Sequence, residues 1–161
     1  MEASVNNKNL VQDFLKEYQL SLPEEYVEFL SGFKSWVRAE LSSENEMLNS
    51  DDWAFGGIDF LSKKVKIQNA KEERPWFRIL SSYFEVMRWA GKSMQTNSGR
   101  ILDKSDVSNF FAFADDEGDI LFFDNRNNNK IGRFLHDEGT VIFTDAFFSD
   151  VVDSLEVFYC E

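Results

Sequence analysis

Two prolines, one cysteine and one histidine in 161 residues narrow the field before any pattern is considered. Cys160 has no second thiol to bridge to, so no intrachain disulfide can form and a reducing compartment suits the chain. His136 has no second histidine, serine or cysteine beside it in a recognisable catalytic motif, so a turn or strand-end role is expected. No apolar run approaches the roughly 20 residues that cross a bilayer. Residues Met1 to Lys8 lack the basic-then-apolar layout of a secretion signal, and a cytoplasmic protein without a membrane partner is expected. Positive charge is also scarce. Lys and Arg number 17 against 29 Asp and Glu, a formal net charge of −12 that opposes attraction to phosphate, so no nucleic-acid partner is expected. Gly56-Gly57 extends to neither Gly-x-Gly-x-x-Gly nor Gly-Lys-Ser/Thr, so no nucleotide site and no cofactor are expected.

What the chain has is aromatic mass. Hydrophobic residues make up 43% and aromatics 16%, with 17 Phe and 4 Trp, enough apolar surface for residues 1–161 to fold alone as one domain. Leu10, Val11, Phe14, Leu15 and Tyr18 recur at helical spacing and predict an amphipathic helix from about Asn7 to Tyr18. Ser21 and Glu24 match a capping box around Pro23, and a second helix is expected from there. Tyr26, Phe29, Leu30, Phe33, Trp36 and Val37 would carry it to about Arg38, across Gly32. Residues 42–52 are polar and acidic and predict a loop. The paired glycines in Trp53–Leu61 predict a turn followed by a short strand or helix start. Periodicity does not choose an element between 63 and 102, because apolar residues such as Trp76, Phe77 and Tyr83 fall at both helical and alternating offsets.

The last third reads more clearly. Asn109–Ala114 and Ile120–Phe123 are aromatic and β-branched runs, and Asp115–Asp119, containing Gly118, predicts the hairpin loop between them. Ile131–Leu135 and Val141–Phe143 add two strands across polar turns, giving a four-strand meander. Thr144 or Asp145 can cap a closing helix carrying Phe147, Phe148, Val151, Val152, Leu155 and Phe158. Helices, then strands, then a helix make an α+β fold: a mixed, mainly antiparallel sheet with a C-terminal β-meander, packed against N-terminal and C-terminal helices.

Catalytic chemistry finds no purchase in this pattern, since no nucleophile constellation or acid/base pair emerges. Asp115, Asp116, Glu117, Asp119 and Asp124 do not follow the spacing of an EF-hand loop, and no metal site is expected. These acids suit turns on their own account, and they also suit contact with a basic protein. Trp53, between Asp51-Asp52 and Gly56-Gly57, is the tryptophan expected at the surface. It joins Asp115, Asp116, Glu117, Asp119 and Asp124 as a candidate partner contact.

Three stretches resemble the SUKH superfamily, which joins the yeast cell-wall assembly regulator family to bacterial toxin-immunity proteins. Leu22–Leu30 is similar to the family's Leu-Pro entry to a helix ending in Phe-Leu. Phe111–Asp124 resembles its central hairpin with an acidic, Gly-containing turn, and Phe147–Leu155 its closing helix. The chain departs from the pattern between 42 and 102, where the paired glycines come late, and that segment is expected to be divergent or inserted. The resemblance implies a non-catalytic binding protein. It points to an immunity protein that neutralises a basic toxin domain, a nuclease among the candidates, or to a regulatory or scaffold module that binds a cellular protein or peptide.

Overall fold

A computed structural model describes residues 7–161. Its frame is an eight-stranded sheet, and the strands run β1 (Trp36–Leu41), β2 (Ser50–Gly56), β5 (Gln95–Thr96), β6 (Phe110–Asp116), β7 (Asp119–Asp124), β8 (Lys130–Leu135), β9 (Thr140–Phe143) and β10 (Leu155–Cys160). A separate two-stranded ribbon pairs β3 (Lys64–Val65) with β4 (Arg74–Pro75). The sheet order is β10-β1-β2-β6-β7-β8-β9-β5. Every pairing is antiparallel except β5 with β9. The expected α+β fold with its meander is therefore present, and β6 to β9 lie side by side in chain order.

The two central strands explain their own sequence. Along β6 and β7, Phe111, Phe113, Leu121 and Phe123 join one buried cluster, while Phe110, Ala112, Ile120 and Phe122 join another. Successive side chains point to opposite faces, so a strand covered on both sides needs an unbroken apolar run. The first cluster is closed by α1 (Lys8–Glu17), α2 (Glu24–Leu30), α3 (Ile58–Leu61) and α6 (Phe148–Val151), and the second by α4 (Ile79–Trp89) and α5 (Lys104–Val107). Tyr26 of α2 sits at the centre of the first, with ring centroids 4.9 to 6.1 Å from Phe111, Phe113, Phe123 and Phe148. Each such fully buried ring contributes about 2–3 kcal/mol.

Five expectations about the elements need correction. The helix from Pro23 does not reach Arg38: α2 ends at Leu30 and Trp36 to Leu41 form a strand. Phe29, Phe33 and Trp36 imitate a helical period, but Val37, Ala39 and Leu41 alternate with half-buried Trp36, Arg38 and Glu40, as a strand buried on one face requires. The capping box at Ser21 does not form; Pro23 is the N-cap and no side chain caps α2. The loop over 42–52 holds one 3-10 turn, Glu46–Leu48, and gives way to β2 at Ser50. The closing helix is a single turn, Phe148–Val151, after which Leu155–Cys160 pairs with β1. Asp150, not Thr144 or Asp145, receives the amide that opens this turn, from Phe147 at 2.8 Å. Thr144 instead donates to the Ile131 carbonyl at 2.6 Å.

Gly57 requires its missing side chain, because a Cβ there would stand 2.1 Å from the Lys34 carbonyl oxygen. That close approach lets the Gly57 amide donate to Ser35 at 2.7 Å and locks the start of α3 onto the entry to β1.

Candidate protein interface

The acidic hairpin tip is tighter than the five-residue loop expected. β6 runs on to Asp116 and β7 begins at Asp119, leaving only Glu117 and Gly118, both at positive φ, as the two-residue turn favoured by the twist of a hairpin. A bulge sets which way the acids face. Ala112 pairs with Phe122 and Ala114 with Leu121, so Phe113 is an extra residue that re-phases the strand. Asp115 then pairs with Ile120 and Ala54 on the α4 face, while Asp116 pairs with Asp119 on the other.

Each carboxylate is held differently. Asp116 accepts from the Ser50 hydroxyl at 2.5 Å. Asp119 accepts from Arg133 Nη2 at 2.9 Å and from the His136 amide at 3.1 Å, and lies 2.7 Å from His136 Nδ1. Partial burial works against its charge, yet the His136 and Arg133 hydrogen bonds win and hold Asp119 below the usual carboxylate range. Burial pushes Asp115 above it, although the Gly118 amide donates to Asp115, and the Asp116 and Asp119 charges add to the rise. The Asp119 hydrogen bond, with the charges of Asp137, Asp119 and Asp115, raises His136. Asp124 stands apart, at the far end of β7 about 17 Å from Asp119, where its carboxylate accepts the Arg126 amide at 3.2 Å.

Trp53 is not a surface residue. It is fully buried (0% exposed), and its indole N–H donates to the Leu48 carbonyl at 2.8 Å. The acidic neighbours and paired glycines suggest an exposed loop, but β2 lies between β1 and β6 and Trp53 points into the first core cluster. Its place is beneath the hairpin end, under Arg133.

Sequence reasoning missed what surrounds the tip. Asp51 and Glu138 are exposed and, like Glu117 of the turn itself, make no ion pair among the described residues, and Asp137 lies exposed beside His136. Toward β10 the α4 face of the sheet is left open: Arg38 pairs with Asp52, and Tyr159 lies across from Arg38 in register and packs on Trp36 at 5.3 Å. Glu40 and Glu156 face each other on the next rung. The one legible signal was the alternation of Val37, Ala39 and Leu41 with Arg38 and Glu40; the pairing with β10 joins residues too far apart in sequence to be read.

The arrangement offers fixed carboxylates and an aromatic shelf, which is recognition chemistry. Among the described residues, no group of three or more His, Cys, Asp or Glu side chains is placed to hold a metal ion, and no helix is long and apolar enough to cross a membrane. No curated protein and no solved structure matches the chain. A sequence profile of the SMI1 / KNR4 family (SUKH-1) matches residues 6–158. With nearly its whole length matched, the chain belongs to the SMI1 / KNR4 family (SUKH-1).

Proposed function

We propose that this domain binds and blocks another protein without catalysis of its own, and that the partner is a basic toxin domain which it neutralises as an immunity protein. The observation that carries this reading is the acidic hairpin end. There Asp51, Glu117 and Glu138, exposed and without an ion pair among the described residues, surround carboxylates fixed by Ser50, Arg133 and His136. Fixed acids raise the encounter rate with a basic surface and add no ordering cost at contact. Membership of the SMI1 / KNR4 family (SUKH-1) fits a protein-binding role. The same carboxylates repel nucleic acid, so the domain competes for the basic face of a toxin and not for that toxin's substrate.

The test is a pull-down from the native host with the wild-type chain and an Asp51→Lys/Glu117→Lys bait. Both residues are exposed and unpaired, so the exchange spares the core. One basic domain retained at low salt, released at high salt and lost from the variant is the expected result. Retention of the same proteins by both baits would sink the acidic-surface reading, and recovery of regulatory proteins alone would move the function to a scaffold role.

A further inference from the structure

On the other side of α4 the surface changes sign. The loop before β4, the outer stripe of α4 and the first turn of α5 enclose a groove of about 610 Å³ lined by Lys71, Arg74, Phe84, Arg88, Trp89 and Lys104. Four cations line it on a chain of net charge −12. Two carboxylates also line it, and both are already engaged. Glu85 takes the Arg74 guanidinium at 2.9 Å and the Lys71 amide at 2.5 Å, and Glu72 takes Arg74 at 3.2 Å. The side chains of Lys71, Arg88 and Lys104 make no hydrogen bond or ion pair among the described residues. Trp89 is 72% exposed, the most exposed large hydrophobic side chain described.

We propose that this groove is a second binding site, independent of the acidic hairpin end, and that it takes an extended acidic segment of a partner polypeptide. Three features select that occupant. The α4 stripe from Ser81 to Trp89 is about 12 Å long, which matches about four residues of extended chain. Separate cations along it suit carboxylates spaced along a peptide, and Phe84 and Trp89 suit apolar side chains between them. A phosphate cradle is missing. The amide at the start of α5 is taken by its own cap, Asp106 N–H donating to Asp103 at 2.8 Å and Asp103 N–H to Asp106 at 3.0 Å. A polynucleotide would meet the repulsion of the whole acidic chain. A domain that docks one partner through its acids thus keeps a basic groove free for a segment of opposite sign.

The test is an NMR titration of the full chain with six-residue peptides carrying four Asp or Glu around Phe and Leu, beside their Asn/Gln analogues, adenosine monophosphate and inorganic phosphate. The acidic peptides are expected to shift amides of 69–74, 81–89 and 104–108 and leave 115–119 in place. Arg88→Glu/Lys104→Glu should weaken binding at least tenfold, and Trp89→Ala several-fold, with unchanged melting temperatures because all three side chains are exposed and unpaired. The idea fails if the Asn/Gln analogues bind equally, if the shifts map elsewhere, or if nucleotide or phosphate moves these amides at lower concentration. Self-association abolished by the charge reversal would give the groove to a second copy and also overturn it.

Discussion

The Arg133 guanidinium lies 4.8 Å from the centre of the Trp53 ring, and this contact ties the acidic hairpin end to the core. Arg133 reaches three places at once. It donates to Asp119 and to the carbonyls of Met47 and Asn49, at 3.3 and 3.1 Å, so β7, β8 and the turn before β2 share one cation. Arg133→Ala leaves partly buried Asp119 without its cation and two carbonyls without a donor, and should destabilise by about 2–3 kcal/mol. Urea unfolding measures this, and faster amide exchange over 43–50 should accompany it. A loss under 0.5 kcal/mol would mean the contact is ornamental.

His136 gives the hairpin end a pH dependence of known sign. Its pKa is raised in the folded chain, so its contribution is complete below the ordinary histidine value near 6.5 and fades as pH rises through the raised value. Asp119 is lowered, so its contribution is complete above the ordinary aspartate value near 3.9 and is lost as pH falls through the lowered one. The pair therefore contributes most between about pH 4 and 6.5. The imidazole is well exposed, so the amount is about 0.5 kcal/mol or less. With one histidine in the chain, its ring protons titrate without assignment ambiguity. They should report a value above 6.5 that returns toward 6.5 in Asp119→Asn.

How far the sequence told this story depends on where each strand found its cover. Phe110–Ala114 and Ile120–Phe123 are buried on both faces, and that environment writes itself into an unbroken apolar run. β10 is an edge strand with Val157, Phe158 and Tyr159 exposed, so no burial pattern marks it and its identity comes from pairing with β1. Local spacing from Phe147 to Phe158 therefore read as helix. The acids of the tip were visible because turn chemistry is local. Arg133 and Ser50 were not, since the strand pairings that bring them to Asp119 and Asp116 span 14 and 66 residues. Trp53 was misplaced for the same reason, its burial being fixed by β1 and β6 and not by its neighbours in sequence.

Gly118 offers a test of the tip itself. Its φ is +102°, and a Cβ there would stand 2.9 Å from the His136 ring. Gly118→Ala should cost about 1–2 kcal/mol, from the backbone conformation and from displacing His136. The His136 pKa should fall at the same time, as the hydrogen bond to Asp119 lengthens. A stability loss with an unmoved histidine titration would assign the whole cost to the backbone.

Tyr26 is the one place where removing an atom should help. Its ring is packed among four others, but its hydroxyl is buried and meets no hydrogen-bond partner among the described residues. The same burial pushes its pKa far up. An unpaired buried hydroxyl costs about 1–3 kcal/mol, whereas the ring stabilises through apolar contact. Tyr26→Phe should therefore raise stability by about 1 kcal/mol, with a higher urea midpoint and an unchanged slope. Tyr26→Ala, which empties the centre of the cluster, should lower it by about 3–5 kcal/mol. Partner capture by the acidic end should survive the first exchange, since Tyr26 lies wholly in the core. A Phe variant less stable than wild type would show that the hydroxyl is bonded after all.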